Sequence, residues 1–154
     1  MVTTLVLLRH APRARGMNGD DESRPISAEG RALEERLAKN LKKRGYFPDA
    51  ILHSPVTRTR ETADVLGSFF KISIAECPNL SLWGNDEALV PLITPEKTTF
   101  MVGHGPTLAL FAAKLAGGPH PYYNLATCSA LILKFENDVA LGEAMIVEYL
   151  LPEA

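Results

Sequence analysis

Short apolar runs alternate along the chain with stretches of helical period, and this alternation most constrains the fold. The apolar runs occupy residues 5–8, 49–53, 72–76 and 98–103, and the helical stretches occupy residues 27–45, 54–70, 87–93 and 105–116. Strands that alternate with helices form a mostly parallel sheet covered by helices on both faces. Two further apolar runs, at 129–135 and 139–150, flank a polar turn and predict an antiparallel hairpin at the sheet edge. The sequence therefore predicts an α/β protein, a three-layer α/β/α sandwich, with residues 1–154 forming one domain.

Residues with strong positional preferences indicate where the helices begin and end. Ser27 is the expected N-cap of the first helix, and Gly45 is its expected stop. Ser54 and Pro55 predict an N-cap and a first-turn proline for the second helix. The segment 11–25 has no apolar period and is rich in arginine, glycine and acidic residues. A segment of that length and composition is expected to be a functional loop.

Composition and charge narrow the classes of partner. A formal charge of -2 and a pI near 6.1 provide no basic field for nonspecific binding of nucleic acid or anionic membranes. The two cysteines, Cys77 and Cys128, are too few for a disulfide framework, which favours a reducing, cytoplasmic compartment. The chain shows no basic leader, and no run approaches the roughly 18 apolar residues of a membrane span. We therefore expect a cytoplasmic protein without a signal peptide, whose anion selectivity comes from a local cluster of charge.

Four polar residues are expected to meet at one edge of the sheet. Arg9 and His10 directly follow the first apolar run, and His104 follows the fourth. Arg58 falls in the first turn of the second helix, where free backbone N–H groups already favour an anion. Ligands of open α/β sheets bind at the carboxyl ends of the strands. Because a guanidinium matches phosphate oxygens and a neutral imidazole is a nucleophile, this set predicts phosphoryl chemistry.

Short motifs in a fixed order resemble those of the histidine phosphatase superfamily, also called phosphoglycerate mutase-like. The motifs are Leu8-Arg9-His10, then Ser54-Pro55-Val56-Thr57-Arg58 with Glu61-Thr62-Ala63, and finally Val102-Gly103-His104. One departure is Ala11, where the family usually has glycine; alanine is small and should be tolerated unless the backbone there needs a positive φ. The chain length and the stretch Asp21-Glu22-Ser23-Arg24-Pro25-Ile26-Ser27 are most similar to the short SixA branch of phosphohistidine phosphatases.

The resemblance implies a phosphoglycerate mutase-like fold and a reaction through a phosphohistidine intermediate. His10 would be the nucleophile, Arg9, Arg58 and His104 would hold the phosphoryl oxygens, and Arg24 would join them from the loop. No metal or other cofactor is needed where arginines neutralise the charge. Larger relatives carry insertions that build a lid over the substrate, for which this chain has little room. The resemblance thus implies an open site for a phosphohistidine on a partner protein.

The proton donor for the leaving group stays open. Asp21, Glu22, Asp86 and Glu87 are the candidates, and Asp21 and Asp86 are also the acidic residues expected to contact substrate. A phosphoimidazole leaves readily once it is protonated, even by solvent, which agrees with the lack of an evident acid. Nearby cations are expected to lower the pKa of His10 and so keep this nucleophile neutral.

Three alternatives also stay open. The chain would act on small phosphate esters or nucleotides if Asp86 or Glu87 supplied the acid. It would be a non-catalytic phosphate-binding module if His10 were never phosphorylated. The third alternative is a metal site made from His10, His53 and His104, although no carboxylate or cysteine lies at ligand spacing.

Overall fold

A six-stranded mixed sheet forms the centre of the molecule. The computed structural model describes residues 2–14 and 21–153, with Asp21 described by its backbone alone. The strands are β1 (Thr3–Arg9), β2 (Ala50–His53), β3 (Ile74–Glu76), β4 (Thr98–Gly103), β5 (Ser129–Phe135) and β6 (Met145–Leu150). The helices are α1 (Ala28–Lys43), α2 (Thr57–Phe70) and α3 (Gly105–Ala116), and 3₁₀ turns cover Asp21–Ser23, Pro78–Leu80 and Asp86–Leu92. The strand order is β3-β2-β4-β1-β5-β6, parallel from β3 to β1 and antiparallel from β1 to β6.

Both faces of the sheet are covered, because side chains along its buried strands alternate between two apolar cores. In β1, Leu5 and Leu7 belong to one core, and Val6 and Leu8 belong to the other. Helix α3 packs on the first core, and α1 and α2 pack on the second. The predicted three-layer sandwich with a mostly parallel sheet is therefore confirmed, as is the antiparallel hairpin at its edge.

The helix ends match the sequence-based expectation for α1 and differ for α2. The Ser27 side chain caps α1 by accepting a backbone N–H at 2.9 Å, and the chain leaves this helix at Gly45 with a φ of +86°. Helix α2 begins one residue after Val56, which has no side-chain capping bond. The predicted N-cap at Ser54 is wrong, because the hydroxyl of Ser54 is bonded inside the functional site instead.

Three other boundaries differ for local reasons. β3 begins at Ile74 and not at 72, because Lys71 takes a left-handed conformation (φ 60°) and the N–H of Ile72 bonds back to α2. β6 begins at Met145 and not at 139, since a turn precedes it. The short helix predicted over 87–93 is a 3₁₀ segment that contains Pro91. None of the helices in residues 2–14 and 21–153 is long and apolar enough to cross a membrane.

Parallel pairing brings the carboxyl ends of β1, β2 and β4 to one edge of the sheet. Arg9 at the end of β1 pairs with Gly103 at the end of β4, and His53 at the end of β2 pairs with Val102. The next residue of β1, His10, donates its backbone N–H to the Gly103 carbonyl at 3.1 Å. The residues that follow β1 and β2 therefore lie on either side of the end of β4, and each donates a backbone N–H to it.

Candidate active site

A pocket of about 440 Å³ opens at this edge of the sheet. Its lining residues are Arg9, His10, Arg13, Arg24, Arg58, Leu82, His104, Gly105, Pro106 and Thr127. The structure therefore brings together the four residues predicted to be catalytic and also the loop residue Arg24. Leu82 belongs to the irregular segment around Trp83, which therefore borders the pocket. Four guanidinium groups in one pocket suit an anion.

Hydrogen bonds fix both the position and the tautomer of His10. Its backbone carbonyl accepts the N–H of Cys128 at 3.1 Å, opposite the bond that its own N–H makes to β4. The ring Nδ1 lies 2.8 Å from the carbonyl oxygen of Ala11. A carbonyl oxygen only accepts, so Nδ1 carries the proton and the lone pair of the neutral ring is on Nε2. His10 therefore has a nucleophilic nitrogen free for a phosphorus atom.

Both histidines of the pocket are neutral at pH 7. The pKa of His10 is lowered to about 4, chiefly by burial, against the opposing effect of its bond to Ala11. Arg58, His104 and Arg9 make smaller contributions that also lower this pKa. Burial is likewise the main cause that lowers the pKa of His104 to about 4. The expected direction for His10 is right, but desolvation and not nearby charge is the principal cause.

Arg58 and Arg9, two of the arginines that line the pocket, are held by different elements. Arg58 is only 6% exposed and lies in the first turn of α2, where the helix dipole adds to its charge. Arg9 donates from Nη1 to the carbonyl of Leu125. The first residue of α3 is Gly105, where a Cβ atom would lie 3.3 Å from Cδ and Nε of Arg9. Glycine at this position therefore lets the helix N-terminus approach the Arg9 side chain closely.

The residues that follow Arg58 tie α2 to the end of β1. The Thr62 hydroxyl accepts the N–H of Ala11 at 2.9 Å and donates to the carbonyl of Arg58 at 2.7 Å. Glu61 accepts the N–H of Ile26 at 2.9 Å. Ala11 is buried and its φ is not positive, so alanine fits where the family usually has glycine. Glu61 and Thr62 therefore have a structural role, because their side chains join α2 to the segments at Ala11 and Ile26.

The loop predicted over 11–25 is closed at its base, which brings two arginines to the pocket. Arg13 pairs with Ile26 in an antiparallel bridge, and the N–H of Ala14 donates to the carbonyl of Pro25 at 2.9 Å. Arg24 donates from Nη2 to the carbonyl of Ala14 at 2.8 Å. Sequence reasoning missed Arg13 as a pocket residue, although the arginine content of the loop was a signal. Residues 15–20 lie outside the described residues.

The acidic candidates do not join the pocket in the described part of the chain. Asp86 forms an ion pair with Lys114 at 2.9 Å and lines a neighbouring pocket of about 240 Å³. Glu87 lies 4.0 Å from the same lysine. Glu22 is exposed, and the side chain of Asp21 lies outside the described residues. Asp86 therefore lies beside the pocket of His10 and is paired with an ammonium group, and its contact with substrate stays a prediction.

A metal site built from three histidines is also not supported. Among residues 2–14 and 21–153, no three His, Cys, Asp or Glu side chains are grouped closely enough to hold a metal ion. His53 is not a lining residue of the pocket, and its Nδ1 donates to the carbonyl of Ser54 at 2.8 Å.

A buried acid that the sequence did not reveal lies behind His10. Glu34 of α1 is fully buried, and its Oε1 accepts the Cys128 thiol at 3.3 Å. The backbone N–H of Cys128 is the group that bonds the His10 carbonyl. Burial raises the pKa of Glu34 to about 8, against the opposing effect of the thiol. The carboxyl group is therefore mostly protonated at pH 7.

The substitution Glu34→Gln is expected to stabilise the fold in alkaline solution. Since the folded-state pKa is raised from 4.5 to about 8, the stability that the protonated acid supports is complete below pH 4.5 and is lost as the pH rises through 8. A neutral amide removes that loss, which amounts to about 3 to 5 kcal/mol at pH 9. Urea unfolding at pH 5 and pH 9 measures the difference. The exposed neighbour Glu35→Gln is the matched control and should show no such pH dependence.

Comparisons with known proteins agree with this geometry. A family model described as the histidine phosphatase superfamily (branch 1) matches residues 5–87. An uncharacterized chloroplastic protein of Arabidopsis thaliana is 34% identical over 146 residues, which cover 84% of this chain and 65% of that protein. The chain thus spans somewhat less than two thirds of the length of this relative.

Solved structures show the same fold. The protein histidine phosphatase SixA in complex with tungstate superimposes with a TM-score of 0.85 at 19% identity, covering 97% of each chain. A protein assigned as the phosphohistidine phosphatase SixA of Agrobacterium tumefaciens superimposes with a TM-score of 0.78 at 25% identity. The matched part covers 97% of this chain and 98% of that one.

Proposed function

The chain belongs to the histidine phosphatase superfamily, and on that premise we propose that it removes phosphate from phosphohistidine on a partner protein. The observation that carries the proposal is the His10 ring, whose Nδ1–H is bonded to a carbonyl and whose Nε2 is free in a pocket with four arginines. This arrangement suits direct attack on phosphorus and stabilises the charge on the transferred group.

The proposed reaction has two steps. Nε2 of His10 forms a bond to phosphorus while the bond from phosphorus to the substrate nitrogen breaks, and the electron pair leaves with that nitrogen, which takes a proton. Water then attacks the phosphohistidine, which returns His10 and inorganic phosphate. Arg9, Arg58 and His104 would hold the oxygens in both steps, with Arg24 at the loop side of the pocket. The low pKa of His10 keeps its nitrogen available throughout the neutral range.

Two observations favour a protein substrate over a small ester. An alkoxide leaving group would need an acid, and no described carboxylate is among the lining residues of the pocket. Leu82, which lines the pocket, and its chain neighbour Trp83 are also apolar and are 46% and 95% exposed. Exposed apolar side chains beside a site are typical of a surface that contacts another protein.

A comparison of turnover rates on different substrates tests this proposal. A histidine-containing peptide phosphorylated with phosphoramidate is compared with a panel of sugar phosphates and nucleotides, each with and without EDTA. We expect kcat/KM for the peptide to exceed that for every ester by about 100-fold or more, because the imidazole leaves without a carboxylic acid. The chelator should not change the rate, since arginines and not a metal neutralise the charge. A sugar phosphate or nucleotide that is turned over faster than the peptide would assign the protein to the small-ester alternative.

A further inference from the structure

A chain of buried hydroxyl groups bonds to His104 on its inner side. Ser54 Oγ lies 2.9 Å from Nε2 of His104 and 2.8 Å from Oγ1 of Thr59. Ser54 and Thr59 are fully buried, so no solvent competes for these bonds. Thr59 Oγ1 in turn lies 2.7 Å from the carbonyl oxygen of Ser54 and 2.9 Å from that of Val56. The hydroxyl chain therefore ends on oxygen atoms that can only accept.

These carbonyl oxygens determine which atom donates in each hydrogen bond between Thr59, Ser54 and His104. The single hydroxyl proton of Thr59 is directed to a carbonyl oxygen, which leaves its Oγ1 as an acceptor. Ser54 and Thr59 approach within 2.8 Å only with a proton between them, so Ser54 donates to Thr59. The remaining lone pair of Ser54 then faces Nε2 of His104, which has to carry a proton. A neutral His104 thus has its lone pair on Nδ1.

This tautomer of His104 cannot donate a hydrogen bond from Nδ1 to a dianion in the pocket. The ring nitrogen not held by Ser54 is Nδ1, and in the neutral ring it has no proton to donate to an oxyanion. The charged groups that act on the His104 ring are Arg58, from the first turn of α2, and Arg9, at the end of β1. The ring of His10 lies 5.7 Å from the ring of His104 between centroids. Arg13 and Arg24 line the same pocket from the loop. Burial, Arg58 and Arg9 together keep the pKa of His104 low.

We propose that Ser54 is a positioning residue that makes anion binding proton-coupled: a tetrahedral dianion enters the pocket together with one proton, which Nδ1 of His104 takes up from solvent. The charged ring then donates from both nitrogens, to Ser54 through Nε2 and to the anion through Nδ1. The negative charge of the ligand offsets the arginines that otherwise disfavour the imidazolium. The inference rests on the proposed function only in that it takes this pocket as the phosphate site.

The test uses sulfate, which stays a dianion across the neutral range, so any proton taken up belongs to the protein. For the wild-type protein, the Kd for sulfate should rise about tenfold per pH unit from roughly pH 6 up to the pKa that His104 takes in the complex, and level off above it. Without the Ser54 hydroxyl, the neutral ring is free to carry its proton on Nδ1 and to bind the anion directly. Ser54→Ala is therefore expected to bring this slope close to zero, whereas Ser54→Thr, which keeps a hydroxyl, should retain it.

A matched control and a second measurement separate this role from a general loss of structure. Thr107→Val removes a hydroxyl that bonds the backbone carbonyl of His104 at 3.0 Å, and it should leave the slope unchanged. A variant that only loosens the pocket would weaken sulfate equally at every pH. Nitrogen NMR shifts of the wild-type protein should show His104 protonated on Nε2 alone without sulfate, and on both nitrogens with it. Protonation on Nδ1 alone, a flat wild-type slope, or no sulfate binding would overturn the inference. None of these results depends on turnover, so the proposed function is tested separately.

Discussion

Replacing His10 by alanine is expected to abolish both turnover and the acid-labile phosphoenzyme, with a loss of about 10³-fold or more in kcat. The reason is that the ring of His10 is neutral and is held by the bond from Nδ1 to the Ala11 carbonyl, which leaves Nε2 available for attack. Quench labelling with a radiolabelled phosphoprotein, followed by mapping of the labelled residue, measures the effect directly. A label that persists in the variant would contradict the mechanism.

The variant His10→Asn refines this test, because an asparagine amide retains a donor for the Ala11 carbonyl and lacks the nucleophile. His53→Asn is its matched control. His53 also ends a strand, is buried and donates Nδ1–H to the carbonyl of the next residue, yet it does not line the pocket. We expect the label to be lost in the first variant and kept in the second. Labelling of His10 itself would also exclude a module that binds phosphate without turnover.

Removing Arg58 is expected to give the second largest effect. Arg58→Ala should lower kcat/KM by about 10²- to 10³-fold, because a buried cation at a helix N-terminus stabilises developing charge without reorganisation. Arg58→Lys should recover only part of the loss, since an ammonium lacks the planar fork of the guanidinium. Steady-state kinetics on the phosphohistidine peptide measure both variants.

Arg60 provides the matched control for Arg58. It lies two residues further along α2, carries the same charge and is exposed, whereas Arg58 is 6% exposed and lines the pocket. Arg60→Ala should change kcat/KM by less than about threefold, as expected for a solvated surface charge. Equal losses in the two alanine variants would mean that net charge, and not the placement of Arg58, governs the reaction.

The local pattern of the sequence was sufficient for the architecture. Strand runs with a period of two and helices with a period near four follow from backbone geometry, so the alternation of runs already requires helices on both faces of a parallel sheet. The position of Arg58 in a first helical turn follows from the same local spacing. The strand-end positions of His10 and His104 follow as well, because parallel strands release their chains at one edge.

Residues whose partners are distant in the chain were not predictable in this way. Ser54 has the sequence features of a helix cap, but its hydroxyl bonds His104, which lies 50 positions away. The ion pair of Asp86 with Lys114 joins residues 28 positions apart and was likewise not evident from the sequence. Glu34 resembles its exposed neighbour Glu35 in the sequence, yet it is fully buried and accepts the thiol of Cys128, which lies 94 positions away.

The sequence by itself determined the layers of the fold and the positions of His10 and His104 at strand ends, because these depend on local periodicity. The spacing of its motifs also indicated phosphoryl chemistry at the pocket. The tertiary structure alone decided which histidine nitrogen carries a proton, which arginines from the loop reach the pocket and which acids are already paired. These properties depend on the burial of each group and on hydrogen bonds between distant segments, and neither is encoded in the local pattern. The direction of the hydroxyl chain that ends at His104 is the clearest case, since it is set by two carbonyl oxygens of the backbone.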